Sequence, residues 1–234
     1  MRPLLLFVPC AALLLLAAAC GGGDEQLVGP LIEDPEAVAL QPADMPVDLI
    51  AAGEGGIHVT TEQACTATGT AERRACIDRL NSWGRRDHYQ VTYASTDPNS
   101  LVTGVFQLTV GVSVYETVDG AHASFGYNVE RLKDLLADNP DTSLLQAETV
   151  GDESVSWLSN ATDTLGDREV PISSYVVDFR RGNTIVRIAL GIAKALGSVD
   201  EALSWARRVD SRILRVSGWE TIRGTPEPTA TVGP

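Results

Sequence analysis

Apolar and polar residues alternate along residues 105–116, "VFQLTVGVSVYE". Successive side chains of a strand point to opposite faces, so this stretch predicts a long strand with one buried face. A shorter alternation in "YQVTYA", residues 89–94, predicts a neighbouring strand of the same sheet. The residues expected on the buried faces are Phe106, Leu108, Val110, Val112 and Val114 in the first strand, and Tyr89, Val91 and Tyr93 in the second.

A hairpin is predicted in "SSYVVDFRRGNTIVRIALG", residues 173–191, with Gly182-Asn183 as a two-residue turn. This register puts Asp178 opposite Arg187, whereas a shift by one residue would place Asp178 opposite apolar residues. The same register forms three apolar pairs on one face: Phe179 with Val186, Val177 with Ile188, and Tyr175 with Leu190.

Two amphipathic helices follow from apolar residues that recur every three or four positions. The first is expected to begin after Asp119 as N-cap and to end at Asn139-Pro140, and the second opens with the capping box of Ser198 and Glu201. Between the first helix and the hairpin, "AETVGDESVSWLS" (residues 147–159) predicts a strand that turns at Gly151-Asp152. The expected buried stripes are Ala121, Phe125, Val129, Leu132 and Leu136, and then Ala202, Trp205, Ala206, Val209 and Ile213.

The predicted order of elements is therefore β-β-α-β-β-β-α, after an N-terminal helical segment at residues 62–83 bracketed by Cys65 and Cys76. Long antiparallel strands with two amphipathic helices indicate an α+β layered fold. One such domain is expected over residues 41–222, followed by a disordered Pro/Thr tail at residues 223–234.

The N-terminus has the pattern of an export signal. Arg2 precedes an apolar run, Leu4–Ala19, which is shorter than a membrane-spanning helix, and residues 21–72 contain no Lys or Arg. The junction Ala17-Ala18-Ala19-Cys20 resembles a bacterial lipobox, although Ala17 stands where leucine is usual. The resemblance implies a signal peptide at 1–19, a diacylglyceryl group on Cys20 and a flexible acidic tether over residues 20–40. Cleavage by ordinary signal peptidase and free secretion is the alternative.

In an exported chain, Cys65 and Cys76 are expected to form a disulfide, because a zinc site would need two further ligands. The net charge of −13 argues against nucleic acid as a partner. His58, His88 and His122 stand in no recognised catalytic or metal-binding motif, so no catalytic residue, metal or cofactor is predicted.

The segment "WGRRDHY" is a dense mixture of aromatic and charged residues. Its members Trp83, Arg85, Arg86, His88 and Tyr89 could line a groove in which rings stack and arginines bind an anion. The preferred interpretation is a helix end capped by Gly84, with basic residues near the negative end of the helix dipole. For Arg207, Arg208, Arg212 and Arg215 the preferred interpretation is a solvated helix face, with contact to lipid headgroups as the alternative.

"WGRRDHYQVTY", the long strand running into "VYETVDGAHASF", the "VGDES" turn and "YVVDFRRGNTIVRI" together resemble PsbP-like domains and the extracellular sensor domains of some bacterial serine/threonine kinases, over residues 40–216. The resemblance implies a curved, mainly antiparallel sheet packed by the two helices, and a binding or accessory role outside the cytoplasm. The sequence thus predicts a non-enzymatic, lipid-anchored domain at the outer face of the cytoplasmic membrane or at the cell surface. Its expected partners are the membrane, through the lipid on Cys20, and an envelope protein or small ligand. The alternative is a secreted hydrolase with a site assembled from distant residues.

Overall fold

The computed structural model describes residues 28–66, 69–97, 99–165, 167–194 and 197–219. The signal peptide, Cys20 and the C-terminal tail lie outside these residues. The strands are β1 Leu49–Ala51, β2 Ile57–His58, β3 Arg85–Ser95, β4 Val105–Tyr115, β5 Thr142–Leu145, β6 Glu153–Leu165, β7 Arg168–Arg181 and β8 Thr184–Ala193. The helices are α1 Pro35–Val38, α2 Thr61–Ala64, α3 Thr70–Ser82, α4 Ser100–Thr103, α5 Val118–Asp138 and α6 Val199–Val216, with a 3₁₀ turn at Pro42–Asp44.

All eight strands belong to one sheet with the order β1-β3-β4-β8-β7-β6-β5, and β2 pairs with the remaining length of β3. Every pairing is antiparallel. The predicted α+β class is therefore confirmed.

The β7–β8 hairpin has the predicted register. Phe179 lies opposite Val186 and Asp178 opposite Arg187, with Gly182-Asn183 as the turn. The Arg187 guanidinium donates two hydrogen bonds, of 2.7 and 2.8 Å, to the Asp178 carboxylate. Gly182 has a φ of +56°, and no non-glycine residue in the described chain has a positive φ. The turn thus needs glycine only at its first central position, as in type II′.

One face of the sheet packs against α6 and forms the main core. The predicted stripe of α6 is buried, from Ala202 to Ile213, and Ser198 caps the helix by accepting a hydrogen bond from the backbone N–H of Asp200. Alternate residues of the central strands complete this core: Leu108, Val110, Val112 and Val114 of β4, Val177 and Phe179 of β7, and Val186, Ile188 and Leu190 of β8. Phe106, expected in the same row, is the exception, because a bulge between Val105 and Gln107 shifts it.

Helix α5 lies on the opposite face of the sheet. Its Ser124 hydroxyl is 2.7 Å from the hydroxyl of Tyr115 on β4, and Ala121, Phe125 and Leu132 are buried. The helix ends at Asn139 as predicted, but its N-cap is Thr117, whose hydroxyl accepts the backbone N–H of Gly120. The Asp119 prediction was therefore two residues late, and that residue lies in the first turn, where an acid favours the helix dipole.

Two further predictions are corrected by the structure. The strand expected over residues 147–159 begins only at Glu153, and the preceding strand is β5, which the sequence pattern did not reveal. The expected tether does not extend to residue 40, because Ile32, Val38, Ala39 and Leu40 are all buried in the main core. This segment is tied down at long range, since the Tyr93 hydroxyl donates a 2.8 Å hydrogen bond to the Leu40 carbonyl.

Candidate functional site

The residues of "WGRRDHY" do not line one groove. Trp83 ends α3 and contacts the ring of Tyr127 on α5, at a centroid distance of 5.3 Å. Arg85 turns toward α2, where it donates hydrogen bonds to the Thr61 hydroxyl and the Val59 carbonyl. Arg86 is exposed and its Nε lies 4.0 Å from a Glu116 carboxylate oxygen. The cluster is therefore divided among several contacts.

His88 and Tyr89 point to opposite faces of β3. Tyr89 is buried in the main core, against the backbone of Gly56, where a Cβ atom would overlap the phenol ring. The ring of His58 lies edge-on to Tyr89 at 5.2 Å, and the Nδ1 atom of His58 is 2.8 Å from an Asp87 carboxylate oxygen. These contacts hold β2 against β3.

His88 makes the contact that comes nearest to a catalytic pair. Its Nδ1 atom is 2.8 Å from the hydroxyl of Ser113 on β4. Burial lowers the pKa of His88 to about 4, with the positive charge of Arg85 adding to the effect. A general base works best when its pKa lies near the operating pH, so this imidazole is a poor proton acceptor for Ser113 at neutral pH. We interpret the pair as a structural hydrogen bond between neighbouring strands.

The candidate site is a shallow, open cleft of about 460 Å³ between α5 and the start of β6. Phe125 and Val129 of α5 and Val155 of β6 form its apolar wall. Its other lining residues are Gly126, Glu130, Thr149, Asp152, Glu153 and Ser154, so the lining contains three carboxylates and no basic side chain.

An ion-pair network fixes the acidic side of this cleft. Arg180, which is only 5% exposed, donates hydrogen bonds to Asp152 at 3.1 Å and to Glu153 at 2.6 Å. His122 of α5 reaches the same Glu153 oxygen at 2.7 Å. Burial acts to raise the pKa of Glu153, but the hydrogen bonds from His122 and Arg180 outweigh it and hold that pKa below its ordinary value. Glu153 is therefore charged at neutral pH.

The network continues to α6. Arg181 binds Asp152 at 2.7 Å and holds Asp210 through two hydrogen bonds of 2.7 and 2.8 Å. The sequence pattern predicts only a turn at Gly151-Asp152, and nothing in it places Asp152 and Glu153 beside Phe125. The cleft exists because the sheet brings α5 and β6 together across a long sequence separation.

The predicted disulfide is present: Cys65 and Cys76 are bonded, with their Cα atoms 5.8 Å apart. Among the described residues no group of three or more His, Cys, Asp or Glu side chains is arranged to hold a metal ion. Within the same residues, no helix has both the length and the apolar character needed to cross a bilayer.

No protein-family profile matches the sequence, and no curated protein matches it. Among solved structures, the chain is similar to the extracellular domain of PknH from Mycobacterium tuberculosis. The TM-score is 0.48 and the sequence identity 10%, over 80% of this chain and 98% of that one.

Proposed function

We propose that this protein is a lipid-anchored extracytoplasmic domain that binds a small ligand in the cleft between α5 and β6, without catalysing a reaction. The ligand would combine an apolar body with a basic group. The observation that carries the binding role is the cleft itself, with its apolar wall and its lining of carboxylates.

The proposed location rests on the sequence before the described domain and on the disulfide. The apolar run ending in Ala19-Cys20 has the layout of a lipoprotein signal. The Cys65–Cys76 bond is of the kind that persists in oxidising compartments and is rare in the cytosol. Both features favour a domain that acts outside the cytoplasm.

The chemistry of the cleft favours a cationic ligand. Asp152 and Glu153 already pair with arginines, but those arginines approach from the sheet and do not line the cleft. Glu130 adds a third carboxylate. One of its oxygens lies 2.6 Å from the Nζ atom of the exposed Lys133. A ligand amine near Glu130 could replace Lys133 while its apolar part contacts Phe125 and Val129.

Anchoring is tested by Cys20→Ala in the natively expressed protein. The wild-type chain is expected in the membrane fraction, with an intact mass equal to a chain starting at Cys20 plus a diacylglyceryl group. The variant is expected in the soluble fraction. A wild-type chain found unacylated in the medium would refute the anchor.

Ligand binding is tested separately by calorimetric titration with octylamine and octanoate, which share an alkyl chain and differ in charge. Octylamine is expected to bind and octanoate is not. Val129→Trp fills the cleft and is expected to abolish binding, whereas Val47→Trp, at a side chain that is 98% exposed, is the matched control. Equal binding of both probes, or binding that survives Val129→Trp, would contradict the proposal.

A further inference from the structure

The exposed face of α6 carries a stripe of hydrogen-bond donors. The stripe consists of Ser204, Arg207, Arg208, Ser211, Arg212 and Arg215. Successive members are alternately three residues and one residue apart, so that alternate members are separated by four residues and share one helix face. With Asp44 they line a shallow surface depression of about 430 Å³. This row of donors lies opposite the buried stripe that packs on the sheet.

Two arginines of this stripe, Arg208 and Arg215, form no ion pair in the described part of the chain, although Arg208 donates a 3.4 Å hydrogen bond to the Asp44 backbone carbonyl. Arg212 binds the Asp44 carboxylate through hydrogen bonds of 2.8 and 2.7 Å, and Arg207 binds Glu148 at 2.5 Å. Arg208 instead stacks over the ring of Trp205, with its Cζ atom 4.5 Å from the ring centroid. Arg215 lines the depression and forms no ion pair with a described residue. The depression therefore keeps an excess of positive charge in a chain whose net charge is −13.

The start of the described chain is bound at the β7–β8 turn, and this hairpin also contacts α6. The backbone N–H of Asn183, in the β7–β8 turn, donates a 3.1 Å hydrogen bond to the Pro30 carbonyl. The end of that hairpin is tied to the C-terminal half of α6, because Arg181 binds Asp210. Cys20 precedes Val28 by eight residue steps, which span at most roughly 28 Å when fully extended.

We propose that the arginine stripe of α6 docks on anionic phospholipid headgroups of the membrane that holds Cys20. The geometry of this inference rests on the proposed anchoring. Guanidinium groups and serine hydroxyls both donate hydrogen bonds to phosphate oxygens. The net negative charge of the chain does not prevent docking, because charges beyond a Debye length of about 8 Å from the lipid surface are largely screened at physiological salt.

The test uses the full-length acylated protein in vesicles of phosphatidylcholine alone or of equal parts phosphatidylcholine and phosphatidylglycerol. Phenylglyoxal modification, read residue by residue by mass spectrometry, reports how accessible each arginine is. Arg208 and Arg215 are expected to react several times more slowly on the anionic vesicles. Arg131 and Arg168, exposed and away from α6, are internal controls whose rates are expected not to change.

A second measurement separates this inference from the anchor. The chain starting at residue 20 and carrying Cys20→Ala has no acyl group, so its partition onto anionic vesicles reports the stripe alone. Arg208→Gln with Arg215→Gln is expected to weaken that partition about fivefold per arginine, and high salt to abolish it. The control pair Arg131→Gln with Arg168→Gln removes the same charge and is expected to have a much smaller effect.

Three outcomes would overturn the proposal. The first is equal protection of Arg208 and Arg215 on neutral and anionic vesicles. The second is equal protection by inorganic phosphate at matched concentration, which would indicate a site for free anions. The third is that neither vesicle protects Arg208 and Arg215 from phenylglyoxal. The positive stripe would then match an acidic segment of a partner protein instead of lipid. The two proposals can fail separately. If Cys20→Ala does not change the membrane fractionation but the unacylated chain still binds anionic vesicles through its arginines, the anchor is refuted and the docking surface is supported.

Discussion

Replacing Asn183 by alanine is expected to detach the N-terminal segment from the sheet and to destabilise the whole domain. Asn183 is 3% exposed, and its side chain makes three hydrogen bonds to backbone groups far away in sequence. Its amide nitrogen donates to the carbonyls of Ile32 at 2.9 Å and Tyr115 at 2.7 Å, and its oxygen accepts the Ile32 N–H at 2.8 Å. Each lost hydrogen bond costs about 1 kcal/mol, and the unpaired buried backbone groups add to this. The expected loss is about 3–4 kcal/mol of unfolding free energy.

Urea unfolding, followed by circular dichroism and tryptophan fluorescence, measures this loss from the shift in midpoint at a common slope. Asn128→Ala makes the same chemical change at an exposed position of α5 and is expected to lie within about 0.5 kcal/mol of the wild type. Asn183→Asp keeps an acceptor for the Ile32 N–H but places a carboxylate next to the carbonyl oxygens of Ile32 and Tyr115. Because these oxygens repel each other, its loss of unfolding free energy is expected to be at least as large as that of Asn183→Ala. A loss below about 1 kcal/mol for both variants would refute this account of the N-terminal segment.

The hydrogen bond to Asp87 raises the pKa of His58, so the stabilisation it gives is complete below pH 6.5 and is lost as the pH rises through the raised value. An NMR titration is expected to show this pKa falling back in Asp87→Asn. Burial lowers the pKa of His88 to about 4, so its ring signals are expected to stay nearly constant from pH 8 to 5.5. Its contribution to stability is complete above pH 6.5 and is lost as the pH falls toward 4. Reduction of the disulfide is expected to lower the free energy of unfolding by about 3 kcal/mol. Amide hydrogen exchange is expected to become faster in α2 and α3, because neither helix buries a residue of its own. Exchange in β4 and β8 is expected to stay slow. Equal acceleration throughout the sheet would contradict that local role.

The elements that could be predicted from sequence are those whose burial follows a regular period. The β7–β8 register and the buried stripe of α6 are examples, because each has one face in the core. The burial of residues 32–40 was not predicted because it depends on contacts with residues far away in sequence, such as Ile32 with Asn183, 151 positions apart, and Leu40 with Tyr93. The division of "WGRRDHY" could have been predicted, since the alternation that buries Tyr89 and Val91 places His88 on the other face. The cleft could not, because Phe125 and Glu153 meet only through tertiary packing.

The two proposed surfaces are carried by helices that pack on opposite faces of the sheet, and they share no residue, which makes them compatible. Helix α6 covers the face of the sheet that carries Phe179 and Val186, whereas the cleft includes Val155, whose β7 partner Asp178 points to the other face. If the arginines of α6 contact lipid, the cleft opens away from the membrane toward solvent. Octylamine is therefore expected to bind the protein equally well on anionic vesicles and in solution, after correction for octylamine taken up by the lipid. Competition between the vesicles and the amine would contradict this arrangement of the two surfaces.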